Sequence, residues 1–333
     1  MKHTRATTFY ASLALAGLVA LTGCGQSVTE NTAQSSQSQN VSLENCGEPV
    51  DFATNPERIV ALNPGQADLM ARLGAGDKVI GVAQTNGKEL PESLTSQGHN
   101  PQVISEDAPP SREDLLKLNP DLVLSPTTYE FTAEQGYATQ DQLKEAGAAS
   151  YVAEAGCFNN RSTAKVSDLL TDIEAYGKIL GKEDEAKKLS EQAQAQLDEA
   201  KKRSEGKEKQ TLAQLYIEGD TLTAIGAGVE HSMAEAAGAQ NVFNPEDSGF
   251  KDFFAAEVSR EELLKKNPDV IVFTTTSEEH EKTTREWLKK NLSGVKAVQD
   301  DRLVAIPSSD TLPGTWGNLD TVTTISKALY PDS

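Results

Sequence analysis

The sequence predicts two similar three-layer α/β lobes, each a mostly parallel sheet covered by helices, joined by one long α-helix. Three observations point there. A fourteen-residue segment at 111–124 returns at 259–272 with nine identities. Short apolar strand candidates alternate with helical stretches on both sides of it. One long helical pattern separates the two halves. The length of 333 residues exceeds one ordinary core, and 37% hydrophobic content with 14 Pro and 24 Gly excludes disordered and collagen-like chains. The 31 Lys+Arg against 50 Asp+Glu leave a net charge of −19, which a nucleic-acid polyanion would repel.

Taken in order, the chain opens with Lys2 and Arg5 before an apolar stretch, Phe9 to Leu21, that is too short for a membrane-spanning helix. This pattern predicts a cleaved export signal over residues 1–23. The run Leu21-Thr22-Gly23-Cys24 resembles the lipobox of bacterial lipoproteins, in which the Cys receives a diacylglycerol and becomes the first residue of the mature chain. The alternative is an ordinary secretory signal with a chance Cys. Residues 25–44 are Ser, Gln, Asn and Thr with little to bury, so 24–44 is expected to be a lipid-anchored flexible tether. With Cys24 so assigned, Cys46 and Cys157 remain, and an oxidising compartment favours their pairing; the alternative is two buried free thiols.

The first lobe is expected over 45–161, with strands at Arg58–Leu62, Val79–Val82, Leu122–Ser125 and Ser150–Ala153. Helices are expected at Gln66–Leu73, Arg112–Leu118 and Thr139–Glu145. The interlobe helix, placed within 162–182, carries Val166, Leu169, Leu170, Ile173, Tyr176 and Leu180 at helical spacing and stops at Gly181. About 18 residues, 163–180, give a rod of roughly 27 Å. A second helix follows with acids in its first turn and Lys201, Lys202 and Arg203 in its last. The second lobe, 183–333, has strand candidates at Thr211–Ile217, Thr221–Ile225, Val270–Thr274 and Leu303–Ile306. Its helices are expected at His231–Ala237, Arg260–Lys266, Thr283–Asn291 and Leu319–Leu329. In each copy of the repeat, Ser111 or Ser259 caps a short helix, Asn-Pro stops it, and an apolar strand follows.

These residues resemble a known family, the substrate-binding lipoproteins of ATP-driven importers, in the helical-backbone class that binds ferric siderophores, cobalamin and haem. The resemblance spans 45–333 and is most specific at Glu57-Arg-Ile-Val-Ala-Leu62, the Asn-Pro-Asp segments 119–121 and 267–269, Ala236–Val242, and Lys178-Ile-Leu-Gly-Lys182. It implies a periplasmic-binding-protein-like fold and a monomeric receptor without chemistry of its own. Cys46 and Cys157 look like those of an actinobacterial iron-siderophore branch, which adds to the case for their bond.

The resemblance further implies that Glu113 and Glu261, one per lobe, dock onto arginines of a membrane permease served by an ATPase. Two equivalent acids on two lobes would make a two-point ion-pair grip. Both also suit a helix N-terminus, and Asp114 and Glu262 stand beside them.

The ligand is expected between the lobes, at the carboxyl ends of the strands. The first lobe would offer Asn63, Gln84, Thr85, Asn86, Thr127, Tyr129, Phe131, Phe158 and Arg161 there. The second would offer Glu218, Gly228, His231, Phe250, Lys251, Phe253, Thr275, Arg302 and Trp316. Aromatic rings would contact a flat or greasy chelate, and Lys251, Arg161 or Arg302 would meet negative charge. Closure by a few degrees about the 163–180 helix would present the two docking acids together.

Other classes have less behind them. Ile225-Gly226-Ala227-Gly228 opens like a dinucleotide fingerprint, but His231 replaces its third glycine. No hydrolase elbow, phosphate loop or H-E-x-x-H motif occurs, so no catalytic residue and no cofactor is expected. Of His3, His99, His231 and His280, one leaves with the signal, too few for a bare-metal receptor. A lipid-anchored receptor for a ferric siderophore is the leading reading. Cobalamin or haem as ligand, or an enzyme or sensory module on the same frame, are the alternatives.

Overall fold

The computed structural model describes residues 40–331; Cys24, the expected signal segment and the rest of the tether up to residue 39 lie outside them. The described chain opens not as a tether but as an antiparallel hairpin, β1 (Asn40–Asn45) with β2 (Glu48–Ala53). Val41 and Leu43 alternate inward onto the core, and buried Asn45 exchanges two hydrogen bonds with the Val152 backbone. Residues 40–44 therefore belong to the folded body. Cys46, at the hairpin turn, is disulfide-bonded to Cys157, with their Cα atoms 5.1 Å apart.

The first sheet is fully parallel. Its strands are β3 (Ile59–Ala61), β4 (Val79–Val82), β5 (Gln102–Val103), β6 (Leu122–Ser125) and β7 (Ala149–Val152), in the order β5-β4-β3-β6-β7. The exposed two-residue edge strand β5 carries no apolar run, and no sequence signal marked it. Helices Pro64–Arg72, Arg112–Lys117 and Gln140–Glu145 are N-capped by Asn63, Ser111 and Thr139 side chains.

The second sheet contains β8 (Thr211–Glu218), β9 (Thr221–Ile225), β10 (Gln240–Asn241), β11 (Ala255–Glu257), β12 (Val270–Thr275) and β13 (Leu303–Pro307). Its order is β11-β9-β8-β12-β13, with β10 added to the start of β8. β9 and β11 run antiparallel and the other pairings are parallel, apart from the β8–β9 hairpin, so this sheet is mixed. The helices here begin earlier than the apolar pattern indicated: Gly228–Ala236, Glu278–Asn291 and Gly317–Leu329. Their first turns are polar or small, and Ser277 caps the middle one by accepting from the His280 N–H.

The sequence repeat has a structural purpose beyond its helix cap. Asn119 and Asn267 end their helices in the left-handed region at φ 45° and 46°. The following aspartates then bind the start of the neighbouring strand: Asp121 accepts from the Glu57 and Arg58 N–H groups, and Asp269 from the Thr211 N–H and hydroxyl. Each lobe thus registers its central strand pair with one carboxylate.

The connection between the lobes is shorter than its apolar pattern. The helix spans Asp168–Leu180, 13 residues or about 20 Å, not 163–180. Asp168 caps the Lys165 N–H at 2.8 Å, and the Val166 N–H instead crosses to Ser232 Oγ of the second lobe at 3.1 Å. After the left-handed Gly181, helix Glu183–Ser204 packs along Gly317–Leu329, where Gln196 bonds Asp320 and Thr323. A single apolar cluster runs from Phe52, Leu69 and Tyr151 through Ile173 and Tyr176 to Leu212, Leu319 and Val322. The core continues from one lobe into the other.

Candidate functional site

Two pockets open along the line where the lobes meet. The first, about 260 Å³, lies between the start of helix Pro64–Arg72 with loop 84–91 and the second-lobe loop 309–317. Arg72 holds Asp68 at 2.6 Å and stacks its guanidinium 4.6 Å from the Trp316 ring centre. Gln84, at φ 55°, donates to the Leu62 carbonyl and so fixes the loop that presents Thr85 and Asn86. Asp310 lies on the opposite wall, its pKa raised by burial.

The second pocket, about 130 Å³, is lined by Thr127, Ala155, Gly156 and Arg161 of the first lobe against Val229, Glu230, Phe254 and the 311–313 loop of the second. The two straps on the first-lobe side touch directly: a Cβ on Gly156 would overlap the Pro126 carbonyl oxygen. Arg161 places its guanidinium 5.3 Å from the ring centres of both Phe253 and Phe254. Its own backbone oxygen presses on Gly228, which at φ 72° needs the left-handed region. That close approach, rather than a phosphate cradle, accounts for the glycine there.

Glu230 joins this pocket from the first turn of its helix. Burial pushes its pKa up to about 7, against the lowering effect of the Gln214 amide that donates to Oε2 at 2.5 Å. On the first-lobe side, buried Glu130 is held by Thr127 Oγ1 at 2.6 Å and Ser125 Oγ at 3.1 Å, which stiffens the loop behind Thr127.

Below the same pocket lies Asp172, fully buried on the interlobe helix. Oδ1 accepts from the Tyr151 hydroxyl at 2.9 Å and from the Glu154 N–H at 2.8 Å, so it anchors the turn that carries Ala155 and Gly156. Oδ2 has no partner and faces Gly314, whose carbonyl accepts from the Gln66 amide at 3.1 Å. Burial raises the Asp172 pKa to about 7, with Glu154 and Asp168 adding like-charge repulsion.

Not all of the sequence-expected cleft residues meet here. Gln84, Thr85, Asn86 and Trp316 line the first pocket, and Thr127 and Arg161 the second. Tyr129, Phe158 and Phe253 are exposed and line neither pocket, Phe253 stacking on Arg161 of the second. Asn63 is instead a helix cap, its Oδ1 accepting from the Gly65 N–H. Phe131 and Phe250 are core residues, the latter packed on Phe243 at 5.8 Å and over Gly226.

His231 is buried on the inner side of its helix, 3.7 Å from Glu235, and burial lowers its pKa. Arg302 precedes β13, at the opposite end from the cleft, and donates to the Ala328 carbonyl at 3.0 Å. Glu218 sits at the exposed tip of hairpin β8–β9, Thr275 is buried at the end of β12, and exposed Lys251 lies outside both pocket linings. Glu113 and Glu261 are exposed in the first turns of the two repeat helices, Glu113 3.3 Å from Lys117. Among the described residues no cluster of metal-ligating side chains occurs, and no helix is long and apolar enough to cross a membrane.

The missed residues are Glu230, Asp172, Gln66 and Phe254. Asp172 had a signal: it falls between Leu169 and Tyr176, on the stripe that an amphipathic helix buries.

Comparisons place this architecture among known proteins. An uncharacterised ABC transporter substrate-binding lipoprotein, YvrC of Bacillus subtilis, is 26% identical over 97% of both chains. A vitamin B12-binding protein of Yersinia pestis is 21% identical, covering 74% of this chain and 79% of its own. The crystal structure described as an ABC-type Fe3+-hydroxamate transport system from Saccharomonospora viridis superposes with a TM-score of 0.68 at 23% identity, covering 87% of this chain and 98% of its own. The periplasmic binding protein family profile matches residues 59–309, and with two lobes meeting over a shared pocket line the chain belongs to that family.

Proposed function

We propose that the chain is a lipid-anchored extracytoplasmic receptor that captures a ferric siderophore between its lobes and delivers it to an ABC permease and its ATPase. One observation carries the ligand class. Among the described residues five large apolar side chains are exposed; three are aromatic, Tyr129 (49%), Phe158 (71%) and Phe253 (46%), of which Phe253 stacks on Arg161 of the second pocket while Tyr129 and Phe158 each stand two residues from a lining residue, Thr127 and Gly156. Exposed rings beside a pocket lining suit a bulky, partly apolar chelate. Arg161 adds one cation, stacked on Phe253 and Phe254 and held in no salt bridge.

Related proteins support the role: one relative is named an ABC transporter substrate-binding lipoprotein, and one structural neighbour an Fe3+-hydroxamate system. Anchoring through Cys24 and docking through Glu113 and Glu261 complete the reading. The B12-binding relative favours cobalamin as the second ligand class. In the first pocket Ser309 donates to Asp310 at 3.0 Å, but neither lining contains a histidine or cysteine to act with it, which favours a receptor over an enzyme.

Tryptophan fluorescence tests this. Trp316 lines the first pocket, whereas Trp287 is tied to Asp220 and Arg260 away from both. Ferric hydroxamate, catecholate and carboxylate siderophores, cobalamin and haem are titrated in turn. Saturable submicromolar quenching by one ferric chelate, absent with its iron-free form, is expected. Silence across the panel, confirmed by calorimetry, would refute the receptor reading.

A further inference from the structure

The charges around the two pockets narrow the ligand beyond its class. The first pocket gathers Asp68, Glu89, Asp310 and Asp320 against Arg72 and Lys88. Arg72 is already committed to Asp68. The second pocket holds Glu230 and Arg161, one of each sign. Five carboxyl groups thus face three bases, and only Arg161 and Lys88 have no carboxylate bound to them. It is this local field, not the total charge of the chain, that a bound chelate feels.

Glu230 is the acid that counts most. Its Oε2 accepts from the Gln214 amide, and the residue lines the same pocket as Arg161. A partly buried carboxyl in that position favours a hydrogen-bond donor or an ammonium group and is driven toward its neutral form when a negative ligand approaches. Arg161 donates to an acceptor at the same time, as the oxygen of a metal-bound hydroxamate would be.

Resting on the receptor reading above, we propose that Glu230 and Arg161 form a paired recognition subsite that selects neutral or cationic ferric chelates and rejects trianionic ones. A trianionic complex would find two free cations and at least three uncompensated carboxylates along the same line. A chelate with oxygens at its metal centre and an amide or amine arm matches both members of the pair.

The test uses the full chain in detergent and three ferric probes: monocationic ferrioxamine B, neutral ferrichrome and trianionic ferric enterobactin. The first two are expected to bind at least tenfold more tightly than the third. Glu230→Gln keeps the side-chain volume and is expected to lower the ratio of the enterobactin Kd to the ferrioxamine Kd at least fivefold. Glu89→Gln, on an exposed loop where folding is not at stake, is expected to move the ratio in the same direction by a smaller factor. Equal or tighter binding of enterobactin by the wild type overturns the charge selection and leaves the receptor reading standing. So does a ratio that neither variant changes. Failure of all three probes to bind removes the ferric-chelate reading and the selection together.

Discussion

Replacing Asp172 by Asn removes a buried acid from beneath the second pocket while preserving its shape. In the folded protein this carboxyl titrates at about 7, against 3.8 when freely solvated, because burial penalises its charged form. The sign follows from linkage. Below pH 3.8 the group is protonated in both states and costs nothing. As pH rises from 3.8 to 7 the unfolded chain ionises while the folded chain does not, and stability falls; above 7 both are ionised and the loss is constant. The gap between the two values corresponds to about 4 kcal/mol of stability lost at pH 8 relative to low pH.

Asn at this position keeps an oxygen for the Tyr151 hydroxyl and the Glu154 N–H. It turns an amide donor toward Gly314, on the side where Gln66 Oε1 also lacks a partner. The variant carries no titration, so its stability relative to wild type should rise with pH. Denaturant unfolding at pH 5 and pH 8 is expected to show that difference growing by about 3 kcal/mol in favour of the Asp172→Asn variant. A difference that is the same at both pH values within about 0.5 kcal/mol would refute the assignment of a near-neutral pKa to this group.

The remaining predictions concern the same neighbourhood and the outer surface. Removing the disulfide with Cys46→Ala and Cys157→Ala opens a loop of 111 residues and should cost about 3–5 kcal/mol in unfolding experiments, mainly by freeing the unfolded chain. Gly156→Ala forces the 154–156 turn away from Pro126, and an increase of the ligand Kd by about tenfold or more is expected, with a lower Tm; an unchanged Kd would detach this turn from the site. Charge reversal of Glu113 and Glu261 together should abolish transport-coupled iron uptake and leave ligand binding intact. Loss of affinity in that double variant would instead assign these acids to the cleft.

What the sequence made legible was local and repeated. The Ser cap, the Asn-Pro stop and the strand after it recur because each lobe solves the same local problem, and both copies form as expected. The role of Asp121 and Asp269 was not legible, because it reaches back 58 residues or more to another strand. Hairpin 40–53 was hidden by its polar outer face, with Val41, Leu43, Val50 and Phe52 as its inward signals. Loops directly after parallel strands could be placed, which put Thr85 and Thr127 on the pocket linings, while Trp316 lines the first pocket from the longer stretch after β13. Phe250 failed because its loop folds back over Gly226, and Glu230 was missed because an acid in a first helical turn ordinarily faces water.

The junction itself bears on how such a receptor works. Gln66 bonds the Pro313 and Gly314 carbonyls, Val166 bonds Ser232, Gly228 bonds the Ser162 carbonyl, and one apolar cluster runs beneath them all. Opening the lobes widely would break several buried hydrogen bonds and expose core surface, each bond costing on the order of 1 kcal/mol or more if left unpaired. Two extended linkers could hinge freely; a helix pair sharing its core with both lobes cannot. On the proposed reading, adaptation to a ligand falls to parts outside this junction, such as the exposed Tyr129, Phe158 and Phe253 side chains. On the same reading selectivity is set by the pocket lining, Glu230 and Arg161 included, while Asp172 holds the 154–156 turn that carries part of that lining.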